Sequence, residues 1–367
     1  MDFPPPRDRI ADMQSFAQFL SQAGEDSIVA TAPCRADLAG GSIDIWPLYL
    51  FHPGAVSVNL ALSILTACKI TPRAGREIVL KSHDTEREDR FAGFEELLMA
   101  TSYAHPLAAY LVRYFRADRG FTLETYSESP AGAGISGSSA LMIATAAALS
   151  RFVGREIEVE QIRVIAQNVE AQLIGVPTGC QDYYPAMYGG VSAVHLEVAG
   201  IRWERLAVSP DEVNQRFLLF YTGAPRQSGI NNWEVFKQHI DGDKHVVHNF
   251  AELSRIAQAM HCALAREHWD EVARLMGEEW ERRRTNGPGI TTPLIDKLIE
   301  VAKQNGAQAA KVCGAGGGGC VIAFIEKGSR ERVEDAIRQH GGQPLDFQVE
   351  REGLRFHAAG ARQTAKV

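Results

Sequence analysis

Apolar positions follow three different rhythms along this 367-residue chain. Near the start, Ala11 to Ala23 carries a short helical pattern, and Ile28 to Pro33, IVATAP, reads as a strand. Ala55 to Ile70 alternates and then turns mostly apolar, and with Glu77 to Ser82 it predicts adjacent strands of one sheet. Glu95 to Phe115 reads as one helix, and Phe121 to Ser127 as a strand running into a glycine-rich loop. From Ala140 to Leu149 the residues are small and apolar on every side, the signature of a helix buried in the middle of a domain. A further helix is predicted over Glu158 to Ile174, ended by the breaker Gly175-Val176-Pro177.

The second half is more helical. Gly189 to Leu196 and Phe217 to Tyr221 read as strands, and a polar loop, TGAPRQSGINN, starts at Thr222. His245 to Arg284 is amphipathic with helical spacing, and Leu294 to Asn305 adds another helix. Ala309 to Phe324 reads as strand, glycine turn, strand. The chain turns polar between Leu196 and Glu212, so two lobes are expected, over residues 1–205 and 206–367, with a ligand site between them.

Composition narrows the class of protein. With 45% hydrophobic and 23% charged residues the chain is an ordinary globular one, and a formal charge of -7 argues against nucleic-acid binding through a basic surface. The N-terminal MDFPPPRDRI has prolines and charges where a signal peptide needs an apolar run, and no stretch reaches membrane-spanning length. The six cysteines lack CxxC spacing, so neither a zinc site nor a disulfide framework is indicated, and a cytoplasmic location is expected.

Candidate chemistry falls into four clusters. In SPAGAGISGSSALMIAT, Gly132, Gly134 and Gly137 free the backbone for close approach to a ligand, and Ser138 and Ser139 sit where a helix begins. Unpaired N–H groups there suit a phosphate. Arg35 and Asp44 follow the first strand, where a guanidinium can hold an anion and a carboxylate can accept from sugar hydroxyls. Glu170 and Asp182 can converge, one toward Mg²⁺ and the other toward a substrate hydroxyl. The tract Gly314 to Gly319 offers a bare backbone. Two stretches match G-x-G-x-x-G, yet the second leads into another strand instead of a helix, against a dinucleotide fold. No P-loop motif is present.

Together CRADLAGGSIDIWP, SPAGAGISGSSALMIAT and KVCGAGGGGCVIAF resemble the three signature motifs of the GHMP small-molecule kinases. The resemblance implies an α+β, two-lobed fold, with an N-terminal mixed sheet and helices and a C-terminal α/β lobe. It also implies ATP and Mg²⁺. Pro130, Gly132, Ala133, Gly134, Ile135, Ser136, Gly137, Ser138 and Ser139 would wrap the phosphates, and Ser138, Ser139 and Glu170 would hold the metal. Asp182 matches the catalytic aspartate and Arg35 its accompanying cation. Asp44, Gly41, Gly179, Gln181, Gly316, Gly317 and Arg226 are the expected substrate-binding residues.

Arg35 favours the sugar-kinase branch over mevalonate kinases, which place a lysine there, and Gly41-Ser42 replaces the Glu-His pair of galactokinases. The remaining motifs are most similar to the D-glycero-D-manno-heptose 7-phosphate kinase and fucose kinase-like group, although Ser42 stands where that group has glycine. A sugar or sugar phosphate, phosphorylated at the anomeric hydroxyl by a monomer or homodimer, is the expectation. A mevalonate-type or other small-alcohol kinase and a catalytically silent sugar or nucleotide sensor are the alternatives.

Overall fold

The computed structural model describes residues 9–225 and 230–357 of the chain. The chain begins with helix α1 (Arg9–Ser21) and strands β1 (Ile28–Ala39), β2 (Val56–Pro72), β3 (Ile78–Ser82) and β4 (Arg87–Phe91). Helices α2 (Phe94–Met99) and α3 (Pro106–Phe115) lead to strand β5 (Phe121–Ser127), then helices α4 (Gly137–Phe152), α5 (Val159–Ile174) and α6 (Tyr183–Tyr188). A hairpin of β6 (Val191–Glu197) and β7 (Gly200–Arg205) follows. Next come α7 (Pro210–Arg216), β8 (Phe217–Tyr221), α8 (Ile230–Ile240), α9 (Lys244–Ala265), α10 (Trp269–Arg283) and α11 (Pro293–Gln304). The described chain closes with β9 (Ala307–Val312), β10 (Cys320–Ile325), α12 (Arg330–Gln339), β11 (Gln343–Leu345) and β12 (Arg355–His357).

Two sheets organise these elements into the expected α+β fold. The larger runs β12-β1-β2-β5-β3-β4, with β6 and β7 joined through β2, and the smaller runs β11-β8-β10-β9. Strand β2 is long enough to serve two partners on one edge: Val56 to Leu60 pair with β6, and Thr66 to Pro72 pair with β5. The β3–β5 pair is parallel, and the other ladders are antiparallel. Helix α4 lies across β1 and β2 and is buried along nearly its whole length, as its all-round apolar sequence predicts. Helix α10 packs on β9 and on α9, and α9 also reaches β1 and β2, so helices from the second half lie against the larger sheet. Among the described residues, no helix is long and apolar enough to cross a membrane.

Several local expectations change. Arg35 is not on a loop after the first strand, because β1 runs on to Ala39, paired with β2 throughout. The register slips between Pro33 and Cys34, where proline has no N–H for the ladder. Strands β2 and β3 share a sheet but are not neighbours, since β5 lies between them. The single helix expected over Glu95 to Phe115 breaks at Ala100, which is extended, and restarts with Pro106 at the first helical position. The His245 to Arg284 run likewise breaks into α9 and α10, with Glu267 at φ 51° in the turn. Helix α8 starts inside the predicted polar loop, and β7 and α7 occupy the polar stretch after Leu196.

Candidate active site

The cavity that gathers most of the candidate residues has a volume of about 570 Å³, within the usual range for small-molecule sites. Its wall includes Arg35, Asp44, Ser136, Ser138, Ser139, Glu170, Gly179, Gln181 and Asp182, which come from five separate stretches of chain.

Burial of α4 aims its N-terminus at this cavity. The loop before it is tied back into the protein through its carbonyls. Ala133 O accepts from Cys320 N at 2.7 Å, Gly134 O from Arg35 Nη1 at 3.0 Å, and Ile135 O from Arg35 N at 3.0 Å. Ser136 precedes the helix at φ 60° and ψ 34°, a left-handed conformation unusual for a residue with a side chain. Its hydroxyl does not cap the helix, and it is buried without a hydrogen-bond partner. The first-turn N–H groups of α4 therefore lack both an intrahelical acceptor and a side-chain cap, the arrangement that takes an anion. Gly137 opens the helix, while Pro130 and Gly132 form the turn behind it, where Ala133 N donates to Pro130 O.

Ser138 and Ser139 follow in the first turn, and neither acts as a cap. Both hydroxyls donate to Glu170 of α5, at 2.9 Å from Ser138 and 3.0 Å from Ser139. Tyr183, at the start of α6, donates its hydroxyl to the same carboxylate. Burial raises the pKa of Glu170, against which these hydrogen bonds act, with the charge of Asp182 adding to the rise. The three groups expected to hold a metal thus sit together as an all-oxygen set, the donor type that suits Mg²⁺.

Asp182 immediately precedes α6 without capping it, and its side chain is met by Arg35. Arg35 Nε and Nη2 both donate to Asp182 Oδ1, at 2.9 and 2.6 Å. Arg35 is 1% exposed, and burial would lower its pKa, but Asp182 and Asp37 more than reverse that and keep the guanidinium charged. Asp44 approaches from the turn after β1, with Gln181 N donating to its Oδ2 at 2.9 Å. Its carboxyl is pushed up to about 6, first by burial and then by the charge of Asp182. Gly179 is there because nothing larger fits: an added Cβ would lie 2.0 Å from Asp44 Oδ2. Gln181 lines the cavity with a buried Oε1 that has no partner.

Not every expected residue reaches this wall. The glycine tract contributes Gly314 and Ala315, whereas Gly317 N donates to Ile290 O and a Cβ on Gly316 would strike the same carbonyl. The tract's other role is structural, since Gly319 lets β10 begin against the loop before α4, where a Cβ would meet Ala133 O at 2.6 Å. Gly41 faces a smaller neighbouring cavity and accepts from Arg283 Nη2. Arg226 lies outside the described residues.

Behind the cavity is a buried charge network that local sequence patterns do not reveal. Asp37 on β1 pairs with Lys311 of β9 at 2.6 Å and accepts from Gly314 N at 2.7 Å. Glu279 and Arg283 of α10 complete it, Arg283 donating to Glu279 and to Gly314 O. Burial would raise the Asp37 carboxyl, but Lys311, Arg283 and Arg35 hold it far below the usual carboxylate range. Sequence reasoning also missed Thr101, Ser102 and Tyr103, from the break between α2 and α3, and Tyr110 of α3, which line the same cavity.

Family models of the GHMP kinases N terminal domain and of the GHMP kinases C terminal region match residues 102–190 and 260–343. The chain is 25% identical over 345 residues to the D-glycero-alpha-D-manno-heptose 7-phosphate kinase of Campylobacter jejuni, covering 90% of this chain and 98% of that protein. It is 24% identical over 345 residues to the mevalonate kinase of Pyrococcus horikoshii, covering 90% and 97%. Its fold matches that of Lactococcus lactis galactokinase complexed with galactose at a TM-score of 0.76, with 18% identity over 94% of this chain and 99% of that one.

Proposed function

The chain belongs to the GHMP kinases, which makes it an ATP-dependent small-molecule kinase, and we propose that its acceptor is a sugar or sugar phosphate phosphorylated at the anomeric hydroxyl. The observation that carries this reading is the pair of carboxylates on one wall. Asp182 is held by Arg35, while Asp44, Gly179 and Gln181 present a fixed set of polar groups beside it. The likeness to a heptose 7-phosphate kinase over nearly the whole chain supports a carbohydrate acceptor.

Asp182 takes the proton of the attacking hydroxyl, and the two hydrogen bonds from Arg35 orient that carboxylate. Asp44 and the Gln181 side chain hold the acceptor's other hydroxyls. The α4 N-terminus and Ser136 receive the phosphates of ATP, a role that fits the orphaned hydroxyl of Ser136. Ser138, Ser139 and Glu170 would hold Mg²⁺, which neutralises phosphate charge when bound. Tyr183 fixes the Glu170 carboxylate from behind.

A mevalonate-type reading has one observation in its favour, the near full-length likeness to a mevalonate kinase. Release of ADP across heptose 7-phosphate, fucose, glucuronate, galactose and mevalonate separates the two. Turnover with a sugar, and a phosphorus NMR signal for an anomeric phosphate, are expected. Turnover with mevalonate alone would replace the sugar reading.

A further inference from the structure

A second cluster of ligating side chains lies outside the cavity, at the edge of the larger sheet. In the β6–β7 ladder Glu204 stands opposite Ala193, so it projects from the same face as His195, two residues along β6. Helix α9 brings His261 to this cluster. His195 Nε2 lies 2.7 Å from Glu204 Oε2, and His261 Nε2 lies 3.3 Å from the same oxygen. The two imidazoles are nearly perpendicular, at 84°, with centroids 5.2 Å apart, so both rings aim one nitrogen at a common point.

The polar inventory is unbalanced at that point. His261 Nε2 is buried and has no hydrogen-bond partner, because its approach to Glu204 is not aligned for one. Arg202 Nη1 is the other charged group facing the carboxylate, at 3.6 Å, and its side chain is more than half exposed and able to swing away. The three ligand atoms lie within 4.8 Å of one another. Two imidazole nitrogens and a carboxylate oxygen around a tetrahedral ion at about 2.0–2.2 Å would sit roughly 3.3–3.5 Å apart, so the existing spacing needs small adjustment only.

We propose that His195, Glu204 and His261 form a binding site for a divalent transition cation of the Zn²⁺ class, which clamps α9 onto the β6–β7 edge hairpin. The donor set selects the ion. Two imidazoles favour Zn²⁺, Co²⁺ or Ni²⁺ over Mg²⁺, whose preference is for oxygen and water, so this site and the Glu170 site do not compete for one metal. A fourth position is left to water, which the partial exposure of all three side chains allows.

Isothermal titration of the full chain with ZnCl₂ in excess Mg²⁺ tests the site, alongside His195→Ala, His261→Ala and His261→Gln. His261→Gln nearly preserves size, which separates loss of a ligand from loss of packing. Exposed Cys262, the neighbour of His261 in sequence, is tested with Cys262→Ser. One equivalent of Zn²⁺ is expected to bind the wild type and raise its melting temperature. Each histidine variant is expected to bind at least about tenfold more weakly and to lose the thermal shift. Cys262→Ser should bind as the wild type does, and Mg²⁺-dependent kinase turnover should be unchanged in His261→Gln. Absence of Zn²⁺ binding by the wild type, equal binding by His261→Gln, or binding abolished by Cys262→Ser alone would each overturn the proposal.

Discussion

Lys311 Nζ lies 2.6 Å from Asp37 Oδ2, and both side chains are fully buried although 274 residues separate them. The pair joins β1, which carries Arg35, to the strand that feeds the glycine tract, and Asp37 also takes the N–H of Gly314. It therefore couples the Arg35–Asp182 contact to the Gly314 wall of the cavity.

Lys311→Met removes one charge and leaves Asp37 buried. A stability loss of about 3–5 kcal/mol in urea unfolding is expected, the usual result of breaking a buried pair from one side. The Asp37 contribution is present above its unfolded pKa and is lost as pH falls, because its folded pKa is lowered. The variant should accordingly show a flatter loss of stability on acidification than the wild type. A loss under about 1 kcal/mol would mean that Arg283 and Arg35 suffice for Asp37.

Asp44 has the opposite sign. Its carboxyl is raised from 3.8 to about 6, so between those values the folded chain keeps a proton that the unfolded chain has released. This contribution to stability is complete below pH 3.8 and is lost as pH rises through about 6. In the proposed reaction activity runs the other way, since an ionised carboxylate is the stronger acceptor for an acceptor's hydroxyls. The kcat/KM for the acceptor should fall on an acid limb near pH 6, and Asp44→Asn should remove that limb and raise acceptor KM about tenfold or more. Persistence of the same limb in Asp44→Asn would assign it to another group.

Gly179→Ala places a Cβ 2.0 Å from Asp44 Oδ2. Either the loop or Asp44 must move, at a cost of about 1–3 kcal/mol in stability. Acceptor KM should rise while ATP KM changes less than about twofold, because Gly179 lies on the Asp44 side of the cavity. Equal losses for both substrates would contradict that division of the site.

How much of this was legible in the sequence depends on the range of the interaction. The ends of β5 and β8 and the course of α4 follow from local apolar pattern and match it closely. Ser138, Ser139, Glu170 and Asp182 could be named as candidates because motifs and their order carry them, and the fold brings them to one cavity. The Asp37, Lys311, Glu279 and Arg283 network was not, since Glu279 and Arg283 look like the polar face of an amphipathic helix until tertiary packing buries them. The Thr101 to Tyr110 wall was hidden by helical periodicity that continues through the break after α2. His195, Glu204 and His261 share no motif spacing, and only strand register and the path of α9 bring them together.

Glu170→Gln keeps the size of the side chain and removes its charge. The Mg²⁺ concentration for half-maximal turnover should rise about tenfold or more, with far-ultraviolet circular dichroism unchanged. An unaltered Mg²⁺ dependence would remove Glu170 from the metal site.

Asp182, held by Arg35, is proposed to serve the attacking hydroxyl of a carbohydrate acceptor. The direct measurement is acceptor-dependent ADP release by the wild type and Asp182→Asn, with ATP affinity measured in parallel. The variant is expected to bind ATP within about threefold of the wild type and to lose about 100-fold or more in kcat. Turnover within about tenfold of the wild type would contradict the role assigned to Asp182.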